Sequence, residues 1–250
     1  MTSTNNNFEF SENALFLDGT ESTNFLLSEM LRKKTLPEGF LISTDFQTSG
    51  KGQQGNSWES EKGSNLLFSI LLYPRHISIE KQFILSQLVC LAIKKVLDKY
   101  VDEISIKWPN DIYWKNKKLA GILIQNSLQE AFIKNSIIGI GLNVNQTEFL
   151  SNAPNPVSLR QIVGKELDRV ILLREIYCAI MDSYQKLNEE SLALEYRKSL
   201  YRGKGFFPFR DGNGSFEAKI YSVHNDGQLE LETSEGERRQ YYFKEVEFVI

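Results

Sequence analysis

The sequence predicts an α+β fold, a β-sheet flanked by helices and followed by a small all-β segment. Three observations carry this. Residues 66–73, LLFSILLY, are almost continuously apolar, as suits a strand covered on both faces. Residues 104–124 read as strand, tight turn, strand, hairpin, strand, with a proline, an Asn-Asp pair and a Lys-Asn-Lys turn as punctuation. At Gly203-Lys204-Gly205 the apolar period changes from helical to alternating.

Composition narrows the class. The 250 residues suffice for one large domain, or one large and one small. Hydrophobic residues at 41% and charged residues at 24% are ordinary for a globular protein. A net charge of −3 leaves no global basic footprint for nucleic acid. Cys90 and Cys178 lie far apart, with no CxxC pair and two histidines. A disulfide framework or a Cys/His zinc site is therefore not expected, and a reducing, cytoplasmic setting is. The N-terminus lacks the pattern of a signal peptide, and no apolar run approaches the roughly 20 residues that span a bilayer.

Taken in order, residues 1–12 are polar. A short strand at 14–18 leads to Gly19-Thr20-Glu21-Ser22-Thr23-Asn24, and Phe25, Leu26 and Met30 then have helical spacing, ending in Arg32-Lys33-Lys34. Thr20 or Ser22 is the predicted cap, and the terminal cations suit the helix dipole. Residues 40–46 form a buried-strand candidate. Gly50, Gly52 and Gly55 follow within six residues, so backbone N–H groups there can converge on an anion. The spacing is not that of a P-loop.

After the strand at 66–73, Pro74 is a stop and Ser78 the predicted cap of a helix over 79–100. Cys90 sits within its apolar pattern and reads as core. The central stretch at 107–125, KWPNDIYWKNKKLAGILIQ, presents a lysine and a carboxylate at its first turn. Gly121 inside an apolar strand predicts close approach of a ligand or another backbone. Residues 131–145 read as a strand with close approach near Gly139 and Gly141, and 152–156 as a loop. Ser158 is expected to cap a short helix ending near Gly164, Asp168 a longer one to about Leu187, and residues 189–201 form a last helix. Residues 216–223 and 229–233 flank an Asn225-Asp226-Gly227 hairpin turn, and 239–243 and 246–250 add strands.

KWPND followed by KLAGIL closely resembles the central signature of the biotin protein ligases, which attach biotin to a lysine of a carrier protein. QTSGKGQQGNSW at 47–58 resembles their glycine-rich loop, and GIGLNVN at 139–145 their GIGxNVN segment. Three ordered motifs are far more specific than one. The resemblance covers roughly residues 15–145 firmly and the rest loosely. It implies a biotin/lipoate-ligase-like catalytic domain with a mixed β-sheet over residues 1–203, and a C-terminal SH3-like β-barrel over 204–250. The first strand begins near Ala14, so a monofunctional ligase without an N-terminal DNA-binding domain is expected, not a repressor.

The resemblance also implies roles. Biotin is activated with ATP to biotinyl-adenylate and passed to the lysine of a biotin carboxyl carrier protein. Ser22, Thr23, Asn24, Gln47, Gly50, Lys51, Lys107 and Gly121 correspond to the biotin site. Lys51, Gln53, Gln54, Trp58, Asn110, Lys118 and Asn143 correspond to the nucleotide site, with Trp58 supporting the loop or touching the adenylate and Arg160 near the nucleotide. Lys107 is the expected catalytic cation, bridging the carboxylate and the α-phosphate. Asp111 orients it, accepts hydrogen bonds in the turn, or deprotonates the carrier lysine. ATP implies Mg²⁺, held by phosphates and water because no carboxylate cluster marks a protein site. A sheet edge is left for the carrier hairpin or a second copy of the chain, a homodimer. A lipoate or octanoate ligase of the same fold and a noncatalytic carrier-binding module are the alternative readings.

The family loop is commonly GRGRRGRxW, and Lys51, Gln53 and Gln54 stand where it has arginines. Lysine and glutamine cannot copy the bidentate phosphate contacts of a guanidinium. Gln53→Arg is therefore expected to slow release of the adenylate, measured by chasing the bound intermediate. Equal release rates would remove the loop's charge as the cause.

Overall fold

In the computed structural model, which describes residues 13–151 and 155–250, the longest apolar run becomes a strand buried along its whole length. The polar residues 1–12 and most of the predicted loop at 152–156 lie outside the described residues. The main sheet uses β1 (Ala14–Leu17), β2 (Leu41–Thr44), β3 (Leu66–Leu72), β4 (Ile104–Lys107), β5 (Asp111–Trp114), β6 (Lys117–Gln129) and β7 (Phe132–Leu142). Their spatial order is β1-β2-β3-β7-β6-β5-β4. The β1–β2 pair is parallel and the others antiparallel, so the sheet is mixed.

Alternation along β3 assigns the faces. Phe68, Ile70 and Leu72 join the core under helix α2 (Phe83–Leu97), whereas Leu71 packs with Leu27 of α1 (Thr23–Lys33). The predicted helix over 79–100 begins later than expected. Ser78 bridges to Phe132 and the Ile79 N–H bonds the Ala131 carbonyl, 3.0 Å. These residues are spent on the β6–β7 hairpin, so Ser78 caps nothing and a single 3-10 turn precedes α2.

Three other caps match their local chemistry. Ser158 and Gln161 form a reciprocal capping box on α3 (Leu159–Val163), which ends at Gly164 with φ +75°. Asp168 accepts from Val170 and Ile171 at the start of α4 (Arg169–Gln185). Asn188 starts α5 (Glu189–Lys198), which stops short of Tyr201. The reason is that Tyr201 N–H bonds the Ile106 carbonyl at 2.8 Å, and the chain after α5 runs beside β4 and covers that sheet edge.

The C-terminal strands β8 (Phe207–Asp211), β9 (Gly214–Val223), β10 (Leu229–Thr233), β11 (Arg238–Tyr241) and β12 (Val246–Phe248) form an antiparallel sheet, β11-β10-β9-β8-β12. This agrees with the SH3-like expectation. Strand β8 was hidden in the sequence by Pro208, a residue that argues against a strand. Its inward Phe209 is fully buried and stacks near Phe248, 4.8 Å between ring centroids. The two sheets share one apolar core, and Trp108 joins them by donating to the Gly227 carbonyl at 2.8 Å.

Cys90 is buried, and burial pushes its thiol pKa up, while Cys178 is exposed on α4. A thiol reacts as its thiolate. Iodoacetamide on the native protein is expected to add one label, at Cys178, and two after denaturation, as counted by intact mass.

Candidate active site

The site lies on the sheet face that α1 shares. With Phe68, Ile70, Ile122, Ile138 and Ile140 in the α2 core, alternation turns Ser69, Gly121, Leu123, Gly139 and Gly141 to the other side. A cavity there is enclosed by the start of α1, the glycine-rich loop, β6, β7 and the Asn110-Asp111 turn.

At the α1 end the walls are neutral and polar. Ser22 occupies the N-cap position but its side chain makes no cap bond. The Gln47 Oε1 does that work, accepting the Thr23 backbone N–H at 2.8 Å. Ser69, at the centre of β3, lies 2.7 Å from Thr23 Oγ1 and 2.6 Å from Asn24 Oδ1. A serine has one proton to give. Ser69 donates to Asn24 Oδ1, and the Thr23 hydroxyl lies within donating reach of both Ser69 and the Gln47 Oε1, the latter at 3.2 Å. Asn24 Nδ2 donates to the Gln125 Oε1 at 3.0 Å and the Leu123 carbonyl at 3.3 Å. These contacts lock Thr23 and Asn24, and leave the Gln47 amide NH₂ at the cavity wall.

The floor is made of glycines because nothing larger fits. Gly121 and Gly141 are direct cross-strand partners, and the Trp58 indole lies on both. A Cβ at Gly121 would come within 2.9 Å of that ring, and one at Gly141 would collide with it. A Cβ at Gly139 would collide with the Asn24 amide. The predicted close approach at Gly121 is thus made by a side chain. Trp58 Nε1 is buried with no hydrogen-bond partner, so an unused donor is enclosed at the site. Asn24 and Trp58 meet these strands two residues apart, roughly 7 Å, so they line different parts of the cavity.

The charged wall is at the Trp58 end. Lys118 Nζ stands 2.7 Å from Asp111 Oδ1 and 5.7 Å from the Trp58 ring centroid. Lys51 lines the mouth, its ammonium 5.7 Å from the Phe25 ring. Asn110 lines the wall, but its amide nitrogen is spent on the Ile122 carbonyl. Gln53 also lines the cavity, with its Oε1 buried and unpartnered.

Several predicted site residues stand elsewhere. Lys107 is not in the lining. Its ammonium sits 5.0 Å from the Phe248 ring centroid and 5.4 Å from that of Tyr113, and burial lowers its pKa. The cations in the lining are Lys51 and Lys118. Gly50 stands behind the wall, its carbonyl accepting the Trp58 backbone N–H at 2.9 Å. Asn143 is a structural amide, donating to the Val157 carbonyl at 3.2 Å, with its Oδ1 left unpartnered. Arg160 is paired at 4.0 Å with Glu166, away from the lining. The side chain of Gln54 lies outside the described atoms. Sequence reasoning missed Ser69, Gln125 and Phe243. The single serine in an apolar strand was the available signal for the first.

Among known proteins, the profile of the biotin/lipoate A/B protein ligase family matches residues 16–143. The bifunctional ligase/repressor BirA of Bacillus subtilis is 32% identical over 225 residues, 84% of this chain and 67% of its own length. A solved biotin protein ligase from Aquifex aeolicus in complex with biotin and ATP superposes with a TM-score of 0.76 at 26% identity, over 94% of this chain and 98% of that one. The biotin protein ligase of Leishmania major in complex with biotinyl-5-AMP shares the fold, with a TM-score of 0.66 at 22% identity over 92% and 98%.

Ser69→Ala removes the donor to Asn24 Oδ1 in a fully buried position. Urea denaturation is expected to show a loss of about 1–3 kcal/mol. An unchanged midpoint would mean that the network does not hold the α1 end of the site.

Proposed function

We propose, from the premise that this chain belongs to the biotin/lipoate A/B protein ligase family, that it is an ATP-dependent biotin protein ligase. The observation that carries the reading is the cavity, neutral and polar where Thr23, Asn24 and Gln47 converge and charged where Lys118 and Asp111 meet. Biotin has the same polarity. Its ureido head is neutral and needs donors and acceptors together, and its carboxylate is an anion at the far end of an apolar tail.

In the first half-reaction a biotin carboxylate oxygen attacks the α-phosphorus of ATP. The bond from that phosphorus to the bridging oxygen breaks, and pyrophosphate leaves with its electron pair. In the second, the deprotonated amine of the carrier lysine attacks the acyl carbon, the bond to the phosphate oxygen breaks, and AMP leaves. Negative charge concentrates on the carboxylate and phosphate oxygens in both steps, and fixed cations there lower the barrier. Lys118 takes that role in this reading. Its ammonium is in the cavity wall, held by Asp111, and Lys107, opposite Asp111 in the β4–β5 pair, adds a second cation beside it. Trp58 holds an unused donor at the same cavity, and Gln47 lines it too.

The carboxylate in the lining is Asp111, and Lys118 engages it. Among the described residues no group of three or more His, Cys, Asp or Glu could hold a metal. The lining does not form a cage for Mg²⁺, which in this reading arrives as the counter-ion of the nucleotide substrate. The acceptor is a biotin carboxyl carrier protein. The unpaired thiols of Cys90 and Cys178 support a reducing, cytoplasmic setting. Neither thiol lines the cavity, which counts against a cysteine-dependent acyl transfer.

The test is to incubate the chain with biotin, ATP and Mg²⁺, denature it, and seek biotinyl-adenylate by mass spectrometry, with lipoate and octanoate in parallel. Adenylate is expected with biotin alone, and Lys118→Ala should lower its rate by about 10²–10³. Adenylate with another acid overturns the substrate, and a fully active Lys118→Ala overturns the role of that lysine.

A further inference from the structure

Two backbone groups fix the direction of the hydrogen bonds at the α1 end of the cavity. A carbonyl only accepts and a backbone N–H only donates. The Leu123 carbonyl lies 3.3 Å from the Asn24 amide, so the atom facing it is Nδ2 and the atom turned to Ser69 is Oδ1. The Thr23 backbone N–H lies 2.8 Å from the Gln47 amide, so the atom facing it is Oε1. Neither side-chain amide can be turned over without setting like against like.

Ser69 passes this polarity on. It is fully buried and stands off the cavity lining. Its cross-strand partner on β7 is Gly139, the position where a Cβ would collide with the Asn24 amide. The glycine leaves room for that amide, and the serine beside it supplies the proton. The Ser69 hydroxyl is 2.6 Å from Asn24 Oδ1, which only accepts, so its one proton goes there. What Ser69 turns toward Thr23 Oγ1, 2.7 Å away, is a lone pair. The Gln47 Oε1, 3.2 Å from the same Thr23 oxygen, is a second acceptor. Whichever of the two takes it, the Thr23 proton points into the protein. The lining residues Thr23 and Gln47 therefore offer a ligand unlike groups. Thr23 offers an oxygen lone pair, and Gln47, with its oxygen taken, offers its NH₂.

We propose that Ser69 is a positioning residue that sets specificity for the acid substrate: by giving its proton to Asn24 it holds Thr23 as an acceptor, so this end of the cavity takes a ring that carries an N–H beside a C=O. The inference rests on the ligase reading above, in which that ring is the cyclic urea of biotin. Ser69 acts through Thr23 and touches no ligand itself. A dithiolane ring brings neither group and would leave both Thr23 and Gln47 without a partner, which a closed site penalises. A ring oxygen in place of the N–H is worse, because it sets a lone pair against the lone pair of Thr23. With alanine at position 69, Asn24 Oδ1 loses its donor and Thr23 loses one of the two acceptors that keep its proton turned inward.

The test measures adenylation at saturating ATP with biotin and with its two cyclic carbamate analogues, each having one ureido N–H replaced by oxygen. Wild type is expected to prefer biotin to one of the carbamates by at least about tenfold in kcat/KM. In Ser69→Ala that preference should fall about fivefold, because the Thr23 hydroxyl can turn its proton to the ring oxygen, while the KM for ATP stays within about twofold of wild type. Ser69→Cys, a weak donor of similar shape, should fall between the two. In a Thr23→Val background, Ser69→Ala should change the preference by less than about twofold, because no hydroxyl is left to turn. The idea is overturned if wild type does not separate biotin from either carbamate, if Ser69→Ala slows biotin and carbamate equally, or if its effect on the preference persists with valine at position 23. A wild-type chain that forms no adenylate with biotin would overturn the ligase reading itself, an outcome that the wild-type lane alone identifies.

Discussion

The turn at Trp108-Pro109-Asn110 is the contact on which the remaining structure depends. Its Trp108–Pro109 peptide is cis. The Pro109 carbonyl accepts from Ser86 of α2 at 3.0 Å and from Tyr196 of α5 at 3.1 Å. The Asn110 carbonyl takes the Ile122 N–H at 3.1 Å while its amide returns a bond to the Ile122 carbonyl. Trp108 reaches the Gly227 carbonyl and packs edge-on near Phe243. Two helices, strand β6 and the C-terminal sheet are thereby tied to three consecutive residues. Asp111, the next residue, inherits that rigidity, and a carboxylate that must hold a cation in register needs it.

The second constraint is the two-residue period of the sheet. One face must be apolar to pack under α2, and the face opposite becomes free for polar work without loss of core. Ser69 shows the division most clearly. Its neighbours Phe68 and Ile70 are wholly buried in the α2 core, and Ser69 is equally buried but points at Thr23 and Asn24. The glycines belong to the same logic. Gly121, Gly139 and Gly141 give up side-chain packing so that Asn24 and Trp58 can lie against bare backbone.

Much of this was legible from local chemistry. The caps at Ser158 and Asp168, the stop at Gly164 and the buried strand at 66–72 each follow from residues within a few positions of the element. The glycine positions announced close approach, though not that the Trp58 ring makes it. What failed was decided by distant partners. Ser78 is a sound cap by type, yet pairing with Phe132 takes it. Ser22 stands at the cap position, yet Gln47 supplies the acceptor from 24 residues away. Lys107 and Lys118 are both lysines beside the same motif, and their different surroundings are not written locally. The difference comes from β12, whose Phe248, from the far end of the chain, places its ring 5.0 Å from the Lys107 ammonium.

That last point bears on how the site can tolerate its unusual loop. Where the family resemblance implies arginines, this loop offers Lys51, Gln53 and Gln54, so less positive charge comes from that segment. Beyond Lys51, the charge is built into the sheet. Lys118 is carried on β6 and Lys107 on β4, strands tied together through β5. Charge fixed in a sheet loses little freedom when substrate binds, whereas a flexible loop loses more on ordering. The lysine and carboxylate at this wall are held by paired strands, and their register is set beside the Pro109 turn.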